Sequence, residues 1–159
     1  MVGDAKFSKD GNDRYLLSRI WDDNKPKLGF IMLNPSIANK TNNDQSINRI
    51  INYVKKWKIY GGFFVCNIYS FITSDKRLLN KEFKITYLNS FKDLENRNYI
   101  KQMINLVDKI IYAWGYTGKE PKWLYELVDE PYCINTLKNK QPEHPSRAKS
   151  DLLFKLYNR

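Results

Sequence analysis

Leu28-Gly29-Phe30-Ile31-Met32-Leu33-Asn34-Pro35-Ser36 is the stretch on which the fold turns. Its apolar run does not alternate with polar residues, and it stops at an Asn-Pro pair, a common turn initiator. A short continuous run of this kind reads as a strand buried on both faces, the habit of a parallel sheet. Gly62-Phe63-Phe64-Val65-Cys66-Asn67-Ile68-Tyr69 and Lys109-Ile110-Ile111-Tyr112-Ala113-Trp114 repeat the pattern, and Tyr132-Cys133-Ile134-Asn135-Thr136-Leu137 is a shorter version of it. The segment from Arg14 to Trp21 reads as an extra edge strand or hairpin arm ahead of them.

Helical periodicity fills the intervals. Ile47, Ile50, Ile51, Val54 and Trp57 share one helix face, with Asp44 or Ser46 as N-cap. Ile100, Met103, Ile104 and Val107 form a second stripe. Trp123, Leu124, Leu127 and Val128 form a third after Pro121, and Ala148, Leu152, Leu153 and Leu156 a terminal one starting near Ser146. Residues 73–93 lack such a pattern and are expected to form a long loop with a short helix, a segment suited to closing over a ligand. The alternation predicts a single domain over residues 1–159, a three-layer α/β/α fold with a central four-stranded, mainly parallel sheet.

A chain of 159 residues, 42% of them hydrophobic, is long enough to bury one core. No run approaches the roughly 20 apolar residues of a membrane span, and Asp4, Lys6, Lys9 and Asp10 leave no apolar core for a secretory signal. A cytoplasmic location without membrane attachment is therefore expected. Cys66, Cys133 and the lone His144 have no ligand spacing for zinc, so no metal or other cofactor is predicted and the thiols are expected to be reduced; carboxylate-bound magnesium stays open. The net charge of +10 favours a polyanionic partner. A lysine-rich, low-GC proteome accounts for the same charge.

In open parallel sheets ligands bind beyond the carboxyl ends of the strands. Those ends carry Asn34-Pro35-Ser36, Asn67 with Ser70, and Trp114-Gly115, and the fourth leads to Glu143-His144-Pro145-Ser146-Arg147. His144 precedes a proline that holds it extended, at the expected start of a helix whose free N–H groups suit an anion. Asp44, Ser46 and Arg49 have two readings. The first two cap the helix while Arg49 faces solvent, or Asp44 turns Arg49 toward the rim. Among Tyr60, Tyr69, Trp114 and Tyr116, packing is the common role and stacking on a base the rarer one.

Together, Arg14-Tyr15 with Arg19 and Trp21, Leu33-Asn34-Pro35-Ser36, Asp44-x-Ser46-x-x-Arg49, Val65-x-Asn67, Ala113-Trp114-Gly115 and His144-Pro145 resemble the uncharacterised bacterial and phage domain family numbered 1643. The order of Asn-Pro, a strand ending in Asn, a strand ending in Trp-Gly and a late His-Pro-Ser also resembles, more distantly, the uracil-DNA glycosylase superfamily. That resemblance implies a uracil-DNA glycosylase-like sheet with its site at the carboxyl edge. It further implies that Asn34 holds a water, Asn67 reads an extruded base and His144 stabilises the departing base anion.

The resemblance has gaps. Gly-x-Asp-Pro-Tyr-His, with its water-activating aspartate, is absent, and Arg147 stands where an apolar wedge is expected. The Asp44–Arg49 cluster has no counterpart, which points to a modified base instead of uracil. The function implied is a DNA N-glycosylase, a hydrolase acting by base flipping, with Asn34 and His144 catalytic. Substrate contacts are expected from Pro35, Ser36, Asp44, Arg49, Asn67, Trp114, Gly115, Pro145, Ser146 and Arg147, and DNA phosphates from Lys138, Lys140, Arg147 and Lys149. The alternatives are a non-catalytic module that binds DNA or blocks a DNA enzyme, and a nucleotide-processing enzyme on the same rim.

Overall fold

The computed structural model describes residues 1–149 and 153–159. The four apolar runs become β3 (Lys27–Met32), β4 (Gly62–Asn67), β5 (Lys109–Tyr112) and β6 (Tyr132–Cys133), each running parallel to its neighbours in the order β4-β3-β5-β6. Residue parity decides which side each side chain takes. Phe30 and Met32 fall in one buried cluster, Ile31 and Leu33 in the other. Burying each such side chain fully contributes on the order of 2 kcal/mol.

Helices cover both faces. α1 (Gln45–Trp57) lays Ile47, Ile50, Tyr53 and Val54 against Phe30, Phe63 and Val65. On the opposite face Ile100 and Met103 of α3 (Phe91–Leu106) and Leu124 of α4 (Lys122–Leu127) meet Ile31, Cys66 and Trp114. Asp44 caps α1, its carboxylate accepting from the Ile47 N–H at 2.9 Å. The helix ends at Lys58, whose φ of 61° breaks the run.

Three expectations need correction. The sheet is mixed and has seven strands among the described residues, not four. Of the two readings for β2 (Arg14–Ile20), the hairpin arm is the one observed: β1 (Val2–Phe7) pairs with it antiparallel on its outer side while β4 pairs with it on its inner side. β1 is half-exposed along its length, so it lacks the apolar signature that marks a strand. No terminal helix occurs in residues 153–159: β7 (Lys155–Leu156) pairs antiparallel with β6, and the Tyr157 N–H reaches Pro131 O. The open backbone of β6 offers that tail hydrogen bonds which outweigh a short helix. Leu152 lies outside the described residues. Finally, the expected loop at 73–93 is largely structured, with a 3-10 turn at Lys76–Leu78, α2 (Lys81–Tyr87) capped by Asn80, and α3 capped by Ser90.

Candidate functional site

A cavity of about 720 Å³ opens at the carboxyl ends of the parallel strands. Asn34, Ser36, Asp44, Asn67, Gly115, His144, Ser146 and Arg147 all line it, so eight of the twelve residues expected at the site meet there. Pro35, Arg49, Trp114 and Pro145 do not. Trp114 is fully buried in the core, where its indole N–H donates to Gln141 Oε1 at 2.9 Å. Pro35 and Pro145 are buried and contribute carbonyls, not surface. Arg49 is not turned to the rim by Asp44; its Nη2 donates to Ser146 O at 3.2 Å and so anchors the loop behind the site.

That loop is held from one side by α1. Tyr53 Oη donates to Ala148 O at 2.6 Å and to Pro145 O at 3.2 Å. On the other side Gly115 N donates to Pro142 O at 2.9 Å. Gly115 has φ +83°, and a Cβ there would stand 3.2 Å from His144 Cβ. A glycine after β5 is what lets the histidine loop approach.

Within the loop no helix starts. Arg147 N and Ala148 N both fold back on His144 O, at 3.0 and 3.3 Å. The free N–H groups expected there are therefore spent in a turn, and Ser146 is not an N-cap. Instead the Ser146 backbone N–H donates to His144 Nδ1 at 3.2 Å, and Ser146 Oγ lies 2.7 Å from the same nitrogen. An Nδ1 that accepts leaves the proton of the neutral ring on Nε2. Burial, then the charge of Lys76, push the His144 pKa down to about 4; Asp44 pulls the other way, and Arg147 adds a smaller push down. At neutral pH the cavity is offered an uncharged imidazole whose Nε2–H donates.

Asn34 is fixed as firmly. Its Nδ2 donates to Thr73 O at 2.7 Å and Pro35 O at 3.1 Å, and Thr73 N donates to Pro35 O at 3.1 Å. Both amide protons are committed, so its Oδ1 is the atom left to accept from a ligand or a water. The same bonds tie Thr73 into the wall of the cavity, which Ser74 and Lys76 also line.

Asn67 is 1% exposed, and its Nδ2 has no hydrogen-bond partner among the described residues. Its backbone is pinned by Asn96 of α3, whose Nδ2 donates to Asn67 O at 2.8 Å. Unpaired buried donors are rare in folded proteins, and this one sits on a residue that lines the cavity.

Sequence reasoning missed Arg14, Thr73, Ser74, Lys76 and Thr117 as lining residues. Of the aromatics considered for stacking, Tyr60 and Trp114 are buried, whereas Tyr116 is 70% exposed and lines the cavity. Lys76, Lys138, Lys140, Arg147 and Lys149 are exposed on the surrounding loops and make no ion pair among the described residues. Burial pushes both thiols up, Cys133 to about 11, which leaves them unsuited as nucleophiles. No group of three or more His, Cys, Asp or Glu side chains among the described residues is placed to hold a metal ion. No helix among them is long and apolar enough to cross a membrane.

The model of the family described as protein of unknown function (DUF1643) matches residues 14–146, a span that contains Asn34, Asn67 and His144. The chain belongs to that family. No curated protein and no solved structure matches it.

Proposed function

From this membership and this cavity, we propose that the protein is a DNA N-glycosylase that flips a modified base and hydrolyses its bond to the sugar. The observation that carries the reading is the convergence of Asn34, Asn67 and His144, from three separate chain segments, on one cavity. A parallel core in the order β4-β3-β5-β6 and a site at its carboxyl edge agree with a uracil-DNA glycosylase-like fold. The volume suits a nucleotide-sized ligand.

In this reading the target base enters the cavity at the expense of its stacking. Asn67 Nδ2 donates to an acceptor on the base edge. Asn34 Oδ1 accepts from the water that attacks the sugar carbon. Asp44, whose carboxylate lines the same cavity, opposes the positive charge that develops on the sugar. As the glycosidic bond breaks, its electron pair leaves with the base, the His144 Nε2–H stabilises the resulting anion, and the proton lost by the attacking water ends on that base. A neutral imidazole suffices, since the group donates a hydrogen bond without giving up its proton. Tyr116 at the mouth stacks on a base, and Lys138, Lys140, Arg147 and Lys149 meet phosphates.

Incubating the protein with natural and phage-type modified DNAs and assaying released base tests the proposal. His144→Ala should slow release from the proper substrate by at least about 100-fold. Full activity in that variant would remove His144 from the mechanism.

One observation favours a second reading, a non-catalytic module that binds DNA through the same pocket. Both Asn34 amide protons tie loops together, so the residue has a structural use without chemistry. Salt-sensitive DNA binding with no base released from any DNA of the panel would select that reading.

A further inference from the structure

Arg14 has no part in the chemistry above, yet it lines the cavity. It is 2% exposed and forms no ion pair among the described residues. Among the described residues its side chain makes one hydrogen bond, from Nη1 to Ala38 O at 2.7 Å, and Nε is buried with no partner. A guanidinium has five donors, and its Nε–Nη2 edge takes two oxygens side by side. That edge has no acceptor among the described residues. Desolvation lowers the Arg14 pKa to about 10, against the weaker pull of the Asp44 carboxylate, so the group remains a cation at neutral pH.

Asn67 supplies a second unpartnered donor on the same wall. β2 and β4 are antiparallel neighbours, which brings the start of one beside the end of the other, and Arg14 N donates to Ser70 O at 2.9 Å just beyond Asn67. A buried cation without a counterion is costly, and so is an unpaired buried amide. Two of them on one wall of a cavity call for a ligand rich in acceptors and negatively charged.

We infer that this wall is an anion subsite, in which the Nε–Nη2 edge of Arg14 and the Asn67 amide bind a carboxylate or phosphate carried by the ligand. The identity of the ligand as a nucleotide rests on the function proposed above; the requirement for an anion does not. An acidic substituent on the base and the nucleotide's own phosphate present the same chemistry, and the test separates them.

Titration calorimetry of the full chain with thymidine, 5-carboxy-2′-deoxyuridine and thymidine 5′-monophosphate reads the subsite directly. One anionic ligand should bind at least about tenfold more tightly than thymidine, and which one identifies the source of the charge. Arg14→Gln should reduce that preference to about twofold or less, while Arg14→Lys, a charge without the fork, should retain only part of it. Should Arg14→Gln fail to fold, as its unfolding midpoint would show, the reduced preference of Arg14→Lys decides the matter. Equal behaviour of the three ligands, including no measurable binding of any, or a preference unchanged in the Arg14 variants, overturns the inference. The measurement involves neither DNA nor bond cleavage. Absence of base release with an Arg14-dependent preference would sink the glycosylase alone, and base release without that preference would sink the subsite alone.

Discussion

The two ends of β2 each bury an arginine to 2% exposure, but their surroundings differ. Arg19 is engaged at all three nitrogens: Nε donates to Asn43 Oδ1 at 2.8 Å, Nη1 to Ser18 O at 2.7 Å, and Nη2 to Asn39 O at 2.6 Å and Asn42 O at 3.2 Å. Those bonds organise the 39–43 loop that leads into α1, and with it the placement of Asp44. Among the described residues Arg14 bonds only to Ala38 O, just before that loop; it lines the cavity, and its Nε has no partner there. A buried charge whose hydrogen bonds are satisfied inside the chain is architecture. One whose hydrogen bonds are left open beside a cavity is available to a ligand.

The contrast breaks most readily at Arg19. Arg19→Met leaves several carbonyls unpaired and should destabilise the fold by about 3–5 kcal/mol, read by urea unfolding. A loss below about 1 kcal/mol would erase the distinction between the two arginines. Gly115→Ala comes next, since it sets a side chain at φ +83° against His144. We expect a loss of about 1–3 kcal/mol and a displaced histidine loop. If the variant is as stable as the parent, the loop has no need of that glycine.

Smaller effects sharpen the picture of the loop. Tyr53→Phe removes the hydroxyl that holds Pro145 O and Ala148 O and should cost about 1–2 kcal/mol. It should also speed amide exchange at Ser146, Arg147 and Ala148; unchanged exchange would mean that α1 does not hold the loop.

A pH dependence follows from His144. Its pKa of about 4 in the folded chain lies below the ordinary 6.5, so between those values the unfolded chain binds more protons. The stabilisation is fully present above pH 6.5 and is lost as the pH falls toward 4. His144→Asn should flatten the stability profile over that window. The chain has a single histidine, so one imidazole NMR titration suffices, and a midpoint near 6.5 would refute the buried neutral ring. Last, Arg14→Met should change stability by no more than about 1 kcal/mol in either direction, because it removes one hydrogen bond and one unpaired charge together. A loss as large as that of Arg19→Met would make Arg14 structural.

Much of the site was legible because strand ends are local features. Asn34, Asn67 and Gly115 each follow an apolar run, and the carboxyl edge of a parallel core gathers them. Trp114 was misplaced for a reason of the same kind. Its neighbours identify a strand end, but one step of the pleat separates a residue facing the cavity from one facing the core. Arg49 was misread because Ser146, its partner, is a backbone carbonyl nearly a hundred positions away. Arg14 was passed over because nothing near it in sequence distinguishes it from Arg19.

By itself the sequence determined the apolar strands, the faces of α1 and the gathering of Asn34, Asn67 and His144 at one rim. These follow from periodicity and turn chemistry, which act over a few residues. Tertiary structure alone decided the rest: the added strands β1 and β7, the fixed wall at Thr73, the proton on His144 Nε2, and the open edge of Arg14. Each of these depends on where backbone donors and acceptors from distant segments find partners, or fail to, and no local pattern encodes that pairing.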